Sequence, residues 1–326
     1  MHISILGGGG FIGQKVARRL AADGHLNGTP VQSLTLFDPH APPAPPAPFP
    51  VHTLSGNLPD LPASAIPPQT DVVFHLAAVV SGAAEADYEL GRRVNVRGTD
   101  AVVDACRRLE APPRLVFTSS VATFSGGQDA VLGDDARQLP ANSYGAQKAA
   151  AELILADASR RRFLDAVLIR LPTVVVRPGR PNAAASSFVS AIVREPLLGL
   201  PATLPVPDEF AVWMCSPRRA VDWLLHAASM DTAPMDADRT VNPPGARATV
   251  ADLLAALEAV RPGASALVQR APDPAIAAIV NGWPAAFRPE RALRLGFAPH
   301  EPLAEVVQAF VDDDLSDTAR DRGNER

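Results

Sequence analysis

The sequence predicts an α/β fold in which a doubly wound parallel sheet is followed by a smaller C-terminal α/β domain that holds the substrate. Its apolar runs are continuous rather than alternating, as strands require when both faces of a sheet are covered. These runs alternate with stretches of helical periodicity, which predicts parallel strands joined by crossover helices. The alternation loosens after about residue 172. We therefore predict a first domain at 1–172, a mainly substrate-binding region at 173–311, and a flexible, charge-rich tail at 312–326.

The elements follow in order along the chain. An apolar strand at 2–6 leads through four glycines into a helix with Phe11, Ile12 and Val16 on one face. The 11 prolines between residues 39 and 68 predict an irregular surface loop, because proline fixes φ and lacks an amide donor. The remaining elements are strands at 34–37, 71–76, 115–118 and 166–170, and helices at 83–108, 144–160, 187–194, 218–229, 250–260 and 303–311.

The composition excludes several classes of function. A net charge of −5 without any run of basic residues argues against a nucleic-acid partner. No apolar stretch reaches the roughly 18 residues of a membrane span, and no secretory signal opens the chain, so we expect a cytoplasmic protein. Cys106 and Cys215 are too few for a disulfide framework or a zinc site, and the seven histidines lack ligand spacing. A small-molecule substrate and no metal are expected.

A glycine-rich turn links the first strand to the first helix. Gly7, Gly10 and Gly13 fit the spacing G-x-x-G-x-x-G, where missing side chains let the backbone approach a pyrophosphate at a helix N-terminus. A glycine run alone is often only a flexible turn, but the flanking strand and helix favour dinucleotide binding and a sheet of the Rossmann type. A phosphate-binding P-loop is excluded, because Gly13-Gln14-Lys15-Val16 lacks its Gly-Lys-Ser/Thr end. Phe11 and Ile12 belong to the predicted cofactor contact.

Asp38 ends the second strand, 25 residues beyond Gly13. An acidic side chain near this spacing accepts hydrogen bonds from the adenosine ribose of NAD. The 2′-phosphate of NADP would be repelled by the carboxylate, and Pro39 and His40 follow where an arginine would be needed. We therefore predict NAD as the cofactor, although a solvated aspartate at the end of a strand is the simpler alternative.

Tyr144 and Lys148 lie four residues apart at the start of a predicted helix, on one face. With two tyrosines and two lysines in 326 positions, such a pair is expected only about 0.01 times by chance. A nearby ammonium favours the phenolate, so we expect a lowered pKa of Tyr144 and a role as general base. Ser120 follows the strand at 115–118 and can hold the reacting oxygen, with Thr118 and Ser119 as competitors.

Several segments together carry a resemblance to the extended short-chain dehydrogenase/reductase family: GGGGFIG, FHLAA, VNVRGT, FTSS and YGAQK over residues 1–180. Membership implies Ser120, Tyr144, Lys148 and Asn95 as the catalytic set, the asparagine supporting the lysine through water. It also implies that the cofactor lies along Ala77, Ala78 and Leu171. Asn57, with Leu58, stands where many relatives carry an aspartate at the adenine, and Thr173 stands where many carry an asparagine. A homodimer through the helices near 90–108 and 144–160 is implied as well.

Further segments resemble a subgroup of this family that oxidises the C2 hydroxyl of a four-carbon sugar acid, among them RLPTVVVRPGRPNAAASSF and SPRRAV. The alternatives are a sugar-nucleotide epimerase or dehydratase with tightly bound NAD, and a non-catalytic dinucleotide sensor. Ser186 and Ser187 precede a predicted helix and could bind the substrate carboxylate, or they could be ordinary helix caps. The other candidate contacts to the substrate are Ser81, Ser120, Tyr144, Thr173, Arg177, Arg180, Arg218 and Trp283.

Overall fold

The computed structural model describes residues 1–127, 131–179, 186–280 and 282–323. Its strands are β1 (His2–Leu6), β2 (His25–Leu26), β3 (Thr29–Pro30), β4 (Ser33–Asp38), β5 (Val51–Ser55), β6 (Val72–His75), β7 (Arg114–Ser120), β8 (Asp165–Leu171), β9 (Thr173–Val174), β10 (Ala202–Leu204), β11 (Ala211–Cys215), β12 (Thr240–Val241), β13 (Ala246–Thr249) and β14 (Val268–Arg270).

The helices are α1 (Phe11–Asp23), α2 (Ser81–Ala86), α3 (Tyr88–Arg92), α4 (Gly98–Cys106), α5 (Ser143–Arg160), α6 (Ser187–Leu197), α7 (Pro217–Ser229), α8 (Val250–Val260), α9 (Pro274–Val280), α10 (Glu290–Arg294), α11 (Leu303–Asp313) and α12 (Leu315–Gly323). A π-helical turn at Arg93–Arg97 joins α3 to α4, and short 3₁₀ helices occupy several loops. No helix among the described residues is long and apolar enough to cross a membrane.

A parallel sheet of seven strands, ordered β12-β8-β7-β6-β1-β4-β5, forms the centre of the described chain. Helices α1 and α7 bury apolar side chains such as Val16 and Trp223 against one face. Helices α4 and α5 cover the other face with Val102 and Leu155. Coverage on both faces explains the continuous apolar runs, and the predicted doubly wound fold is confirmed. The carboxyl ends of β1, β4, β6, β7 and β8 share one edge, which is where the functional residues lie.

The later part of the chain builds a second apolar core from α6, α8 and α11, with Val189, Leu253 and Phe310 fully or almost fully buried. A three-stranded sheet, β13-β11-β9, packs with this core. However, β12 and α7 return to the central sheet although both lie beyond residue 172. The central sheet therefore extends past the first domain that the sequence predicts.

Two stretches differ from the sequence expectations. Strand β5 lies inside the proline-rich stretch and pairs with β4 at the edge of the sheet. An edge strand needs hydrogen bonds on one side only, and the flanking Pro50 and Pro59 stand outside it. Residues Leu315–Gly323 form α12 rather than an irregular tail. The preceding junction is anchored to other elements, because Asp314 pairs with Lys15 of α1 at 2.9 Å and Asp313 pairs with Arg218 of α7.

Candidate active site

The glycine turn between β1 and α1 is closed so tightly that side chains are excluded at two positions. Gly7 has a φ of 90°, and a Cβ there would stand 2.6 Å from the amide nitrogen of Ala77. A Cβ at Gly13 would stand 2.1 Å from the carbonyl oxygen of Gly7. Gly7, Gly10, Phe11, Ile12 and Gly13 all line a cleft of about 420 Å³. This backbone cradle at a helix N-terminus fits a pyrophosphate.

Asp38 ends β4 beside this turn, as predicted. Its carboxylate accepts a hydrogen bond from the amide of Gly9 at 3.0 Å. Burial raises the pKa of Asp38, while the amides of Gly9 and Gly10 oppose the shift. The carboxylate therefore stands at the sheet edge where a ribose hydroxyl could donate to it.

Ser120 and Tyr144 are brought together by a close approach of two segments. A 3₁₀ turn follows Ser120 and contains Ala122. If residue 145 had a Cβ, that atom would lie only 2.3 Å from the carbonyl oxygen of Ala122. Glycine at 145 thus lets the first turn of α5, capped by Asn142, rest directly on this turn. The Ser120 hydroxyl accepts from the amide of Ala122 at 3.1 Å, which leaves its own hydrogen for a second partner.

Lys148 lies one turn after Tyr144 and is almost completely buried. Its ammonium donates to the carbonyl oxygen of Thr118 at 2.7 Å and lies 4.4 Å from the centre of the Phe117 ring and 5.8 Å from that of Tyr144. Burial lowers the pKa of Lys148 to about 7, and the Glu152 carboxylate opposes the shift.

The expected lowering of the Tyr144 pKa is wrong. Burial raises the pKa of Tyr144 to about 12, whereas the Ser120 hydroxyl and the charge of Arg177 oppose the shift. The physical reason is that burial desolvates the phenolate.

Asn95 lies in the π-helical turn, and its side chain makes no direct hydrogen bond to Lys148 among the described residues. The amide oxygen accepts from the backbone N–H of Val79, and the amide nitrogen donates to the Val79 carbonyl and to Oε1 of Gln147. Asn95 therefore fastens the loop after β6 to α5. This loop carries Ala78 and leads to Ser81, both of which line the cleft.

Arg177 lies across the cleft from the glycine turn, half-buried, with its guanidinium donating to the Ser186 hydroxyl at 2.9 Å. Burial and the nearby Arg194 lower the pKa of Arg177, and the charge of Tyr144 raises it. No carboxylate pairs with Arg177 within the part of the chain that the structure describes. Ser186 makes no side-chain cap bond to α6, so the alternative of an ordinary cap does not describe it.

The structure separates the other predicted residues into two groups. Leu171 and Thr173 line the cleft, whereas Arg218 is on the surface and paired with Asp312 and Asp313. Four further predicted residues do not line the cleft: Asn57, Leu58, Ala77 and Ser187. Asn57 is exposed after β5, and Leu58 packs against α4. Arg180 is outside the described residues.

Two tryptophans form part of the cleft wall. Trp283 lines it together with Pro284, and Trp213 of β11 lines it from the second sheet. Trp213 also packs on Phe287, with ring centres 5.4 Å apart. The sequence analysis missed Trp213 and Asn142. The cap position of Asn142 before the Tyr–Lys helix is a signal that could have identified the latter. No cluster of three or more potential metal ligands occurs in the described ranges.

Residues 3–217 match the NAD dependent epimerase/dehydratase family. The chain belongs to this family. It is 46% identical over 321 residues to a D-erythronate dehydrogenase from Cupriavidus necator, covering 96% of this chain and 98% of the relative. A D-erythronate dehydrogenase from Haemophilus influenzae is 38% identical, with 97% and 100% covered. The crystal structure of a nucleoside-diphosphate-sugar epimerase from Agrobacterium tumefaciens superposes with a TM-score of 0.92 at 42% identity, covering 97% of this chain and 95% of that one.

Membership of the NAD dependent epimerase/dehydratase family shows that the cofactor is NAD. The similarity to named dehydrogenases shows that the chain is an oxidoreductase that acts on a CH–OH group. The cradle at Gly7 and Gly13 and the carboxylate of Asp38 fit that cofactor. The glycine turn, Ser120 and Tyr144 face one cleft.

Proposed function

We propose that the chain oxidises the C2 hydroxyl of D-erythronate, a four-carbon sugar acid, to the 2-oxo acid, with Tyr144 as the base. The observation that carries this proposal is Arg177. It is a half-buried cation without a carboxylate partner among the described residues, in the same cleft as Tyr144 and close enough to lower the tyrosine pKa. An arginine in this position favours an anionic substrate, because a guanidinium pairs well with a carboxylate.

The proposed reaction divides the work among few side chains. The Ser120 hydroxyl and the Tyr144 oxygen hold the C2 oxygen, and the proton of the C2 hydroxyl passes to Tyr144. NAD, when bound, supplies the hydride acceptor for the hydrogen on C2 and adds positive charge to the cleft. The buried Lys148 ammonium stabilises the phenolate that precedes proton transfer. Arg177, positioned by Ser186, holds the carboxylate so that C2 faces the base.

The roles of the remaining cleft residues follow from their places. Gly7, Gly10, Phe11, Ile12 and Gly13 would hold the cofactor pyrophosphate, and Asp38 its ribose. Ala78 and Leu171 would lie along the cofactor, while Ser81 and Thr173 would contact the substrate hydroxyls.

The test is a screen in which NADH absorbance is followed with aldonic acids of three to six carbons. We expect turnover with D-erythronate and far slower turnover with the neutral polyol of the same length at equal concentration. Turnover with no hydroxy acid, or equal turnover with the neutral polyol, would overturn the proposal.

A sugar-nucleotide epimerase is the second candidate, supported by the name of the Agrobacterium tumefaciens structure. An epimerase regenerates its cofactor in each cycle, so added NAD would not be reduced in bulk. If nucleotide sugars are interconverted without NADH accumulating, this second function replaces the first.

A further inference from the structure

Beneath the cleft, one turn of α5 beyond Lys148, lies the buried carboxylate of Glu152. It accepts hydrogen bonds from the Ser119 hydroxyl, from Nε2 of Gln138 at 2.8 Å, and from Arg170, whose Nε and terminal nitrogen approach to 3.1 and 2.7 Å. Glu152 and Arg170 are 2% and 6% exposed. Such a buried ion pair is tolerated only when hydrogen bonds satisfy both groups, as they do here.

The partners of Glu152 lie on β7, on β8 and in the loop that leads into α5. Ser119 immediately precedes Ser120 on β7, and Arg170 on β8 is the register partner of Ser119. Gln138 belongs to the loop that leads into α5. The side chains of Ser119 and Arg170 both reach Glu152 of α5, while the next residues on their strands, Ser120 and Leu171, line the cleft.

A second contact ties Arg170 to the turn after Ser120. The Arg170 guanidinium lies 4.9 Å from the centre of the Phe124 ring, and Phe124 ends the 3₁₀ turn that begins after Ser120. Because the guanidinium is a planar fork that contacts both the Glu152 carboxylate and the Phe124 ring, it fixes the orientation of these two groups as well as the distance between them.

We propose that Glu152 and Arg170 are positioning residues for the dehydrogenase reaction, holding α5 at the height that places Tyr144 and Lys148 over Ser120. This inference rests on the proposed function of Tyr144. Positioning matters because a displacement of about 1 Å between reacting groups can cost on the order of a hundredfold in rate. If the pair only stabilised the fold, its removal would lower the unfolding free energy, and activity would fall only as far as the folded fraction falls.

The pH dependence separates these two roles. The groups around the Lys148 ammonium are Tyr144 and Glu152 on its own helix, His75 on β6 and the Thr118 carbonyl on β7. Without the Glu152 charge, the pKa of Lys148 falls further, and less ammonium remains to favour the phenolate. The alkaline limb of the kcat profile, where the Lys148 ammonium loses its proton, therefore moves to lower pH.

The experiment compares Glu152→Gln with Asp165→Asn, which removes a carboxylate at the opposite end of β8. Asp165 pairs there with Arg114 and Arg239, far along the strand from the cleft. In Glu152→Gln, the new side-chain amide would present its own N–H donors to the donors of Arg170. We expect kcat to fall about tenfold or more in this variant, with KM for NAD nearly unchanged and the alkaline limb of the pH profile displaced to lower pH.

Asp165→Asn is expected to lower Tm but to keep kcat and the pH profile. Equal losses of kcat in both variants, or a folded Glu152→Gln with kcat within twofold of wild type, would overturn the inference. If Glu152→Gln does not fold, Ser119→Ala removes one neutral partner of Glu152 and must lower kcat at unchanged Tm. The variants are compared on whichever acid the wild-type protein oxidises. If the proposed substrate or function is incorrect, the wild-type protein itself will show no such oxidation, and this failure is distinct from a failure of the positioning role.

Discussion

Replacing Arg177 with methionine tests how the substrate is held. Methionine keeps an unbranched side chain but removes the charge and the bond to the Ser186 hydroxyl. A hydrogen bond to a charged group contributes about 1.5–3 kcal/mol, and about 1.4 kcal/mol corresponds to a factor of ten. Since the guanidinium is only half-buried, we expect the lower part of this range, a rise of about 10- to 30-fold in KM for D-erythronate.

The assay measures KM for the acid and for NAD, and kcat/KM for the neutral four-carbon polyol at high concentration. KM for NAD and the small activity with the polyol are expected to stay constant. Arg218→Met is the matched control, because this arginine is exposed and already paired with Asp312 and Asp313. If Arg177→Met raises KM for the acid less than threefold, or weakens acid and polyol equally, the carboxylate is held elsewhere.

Three other perturbations extend the test. Tyr144→Phe should lower kcat by about 10²–10⁴-fold while NADH binding, followed by fluorescence, stays near wild type; turnover within tenfold of wild type would exclude the tyrosine as base. Asp38→Ala should narrow the ratio of kcat/KM for NAD over NADP by relieving repulsion of a 2′-phosphate, and an unchanged ratio would contradict that role. Burial lowers the pKa of His75 to about 3, so the unfolded chain takes up its proton first as pH falls below about 6.5. The unfolding free energy should then fall by up to about 1.4 kcal/mol per pH unit between pH 6 and 5, and His75→Gln should remove that part of the slope in urea titrations.

The sequence predicted those parts of the site that depend on local pattern. The glycine turn, the end of β4 at Asp38 and the pairing of Tyr144 with Lys148 are set by neighbouring residues and by the parallel topology. Ser186 and Ser187 at the start of α6 were harder to assign, because a serine that caps a helix and a serine that binds a ligand have the same sequence signal. The structure distinguishes the two roles for Ser186, because its hydroxyl accepts a hydrogen bond from Arg177 and makes no cap bond to α6.

Long-range partners could not be predicted from sequence. Nothing local to Arg218 indicates Asp312 and Asp313, which lie more than 90 residues away. The engagement of Asn95 by Val79 depends in the same way on how a loop returns to a helix. The homodimer, the cytoplasmic location and the division at residue 172 stay predictions.

The near absence of lysine has a practical consequence. Of the 30 basic residues only Lys15 and Lys148 carry an amine, and Lys15 is 14% exposed and paired with Asp314 while Lys148 is buried. Acylating reagents that modify most proteins at many lysines therefore find only one partly exposed lysine amine here, and that amine is held in an ion pair. Attaching a dye or a surface linker through lysine should accordingly be inefficient for the folded protein.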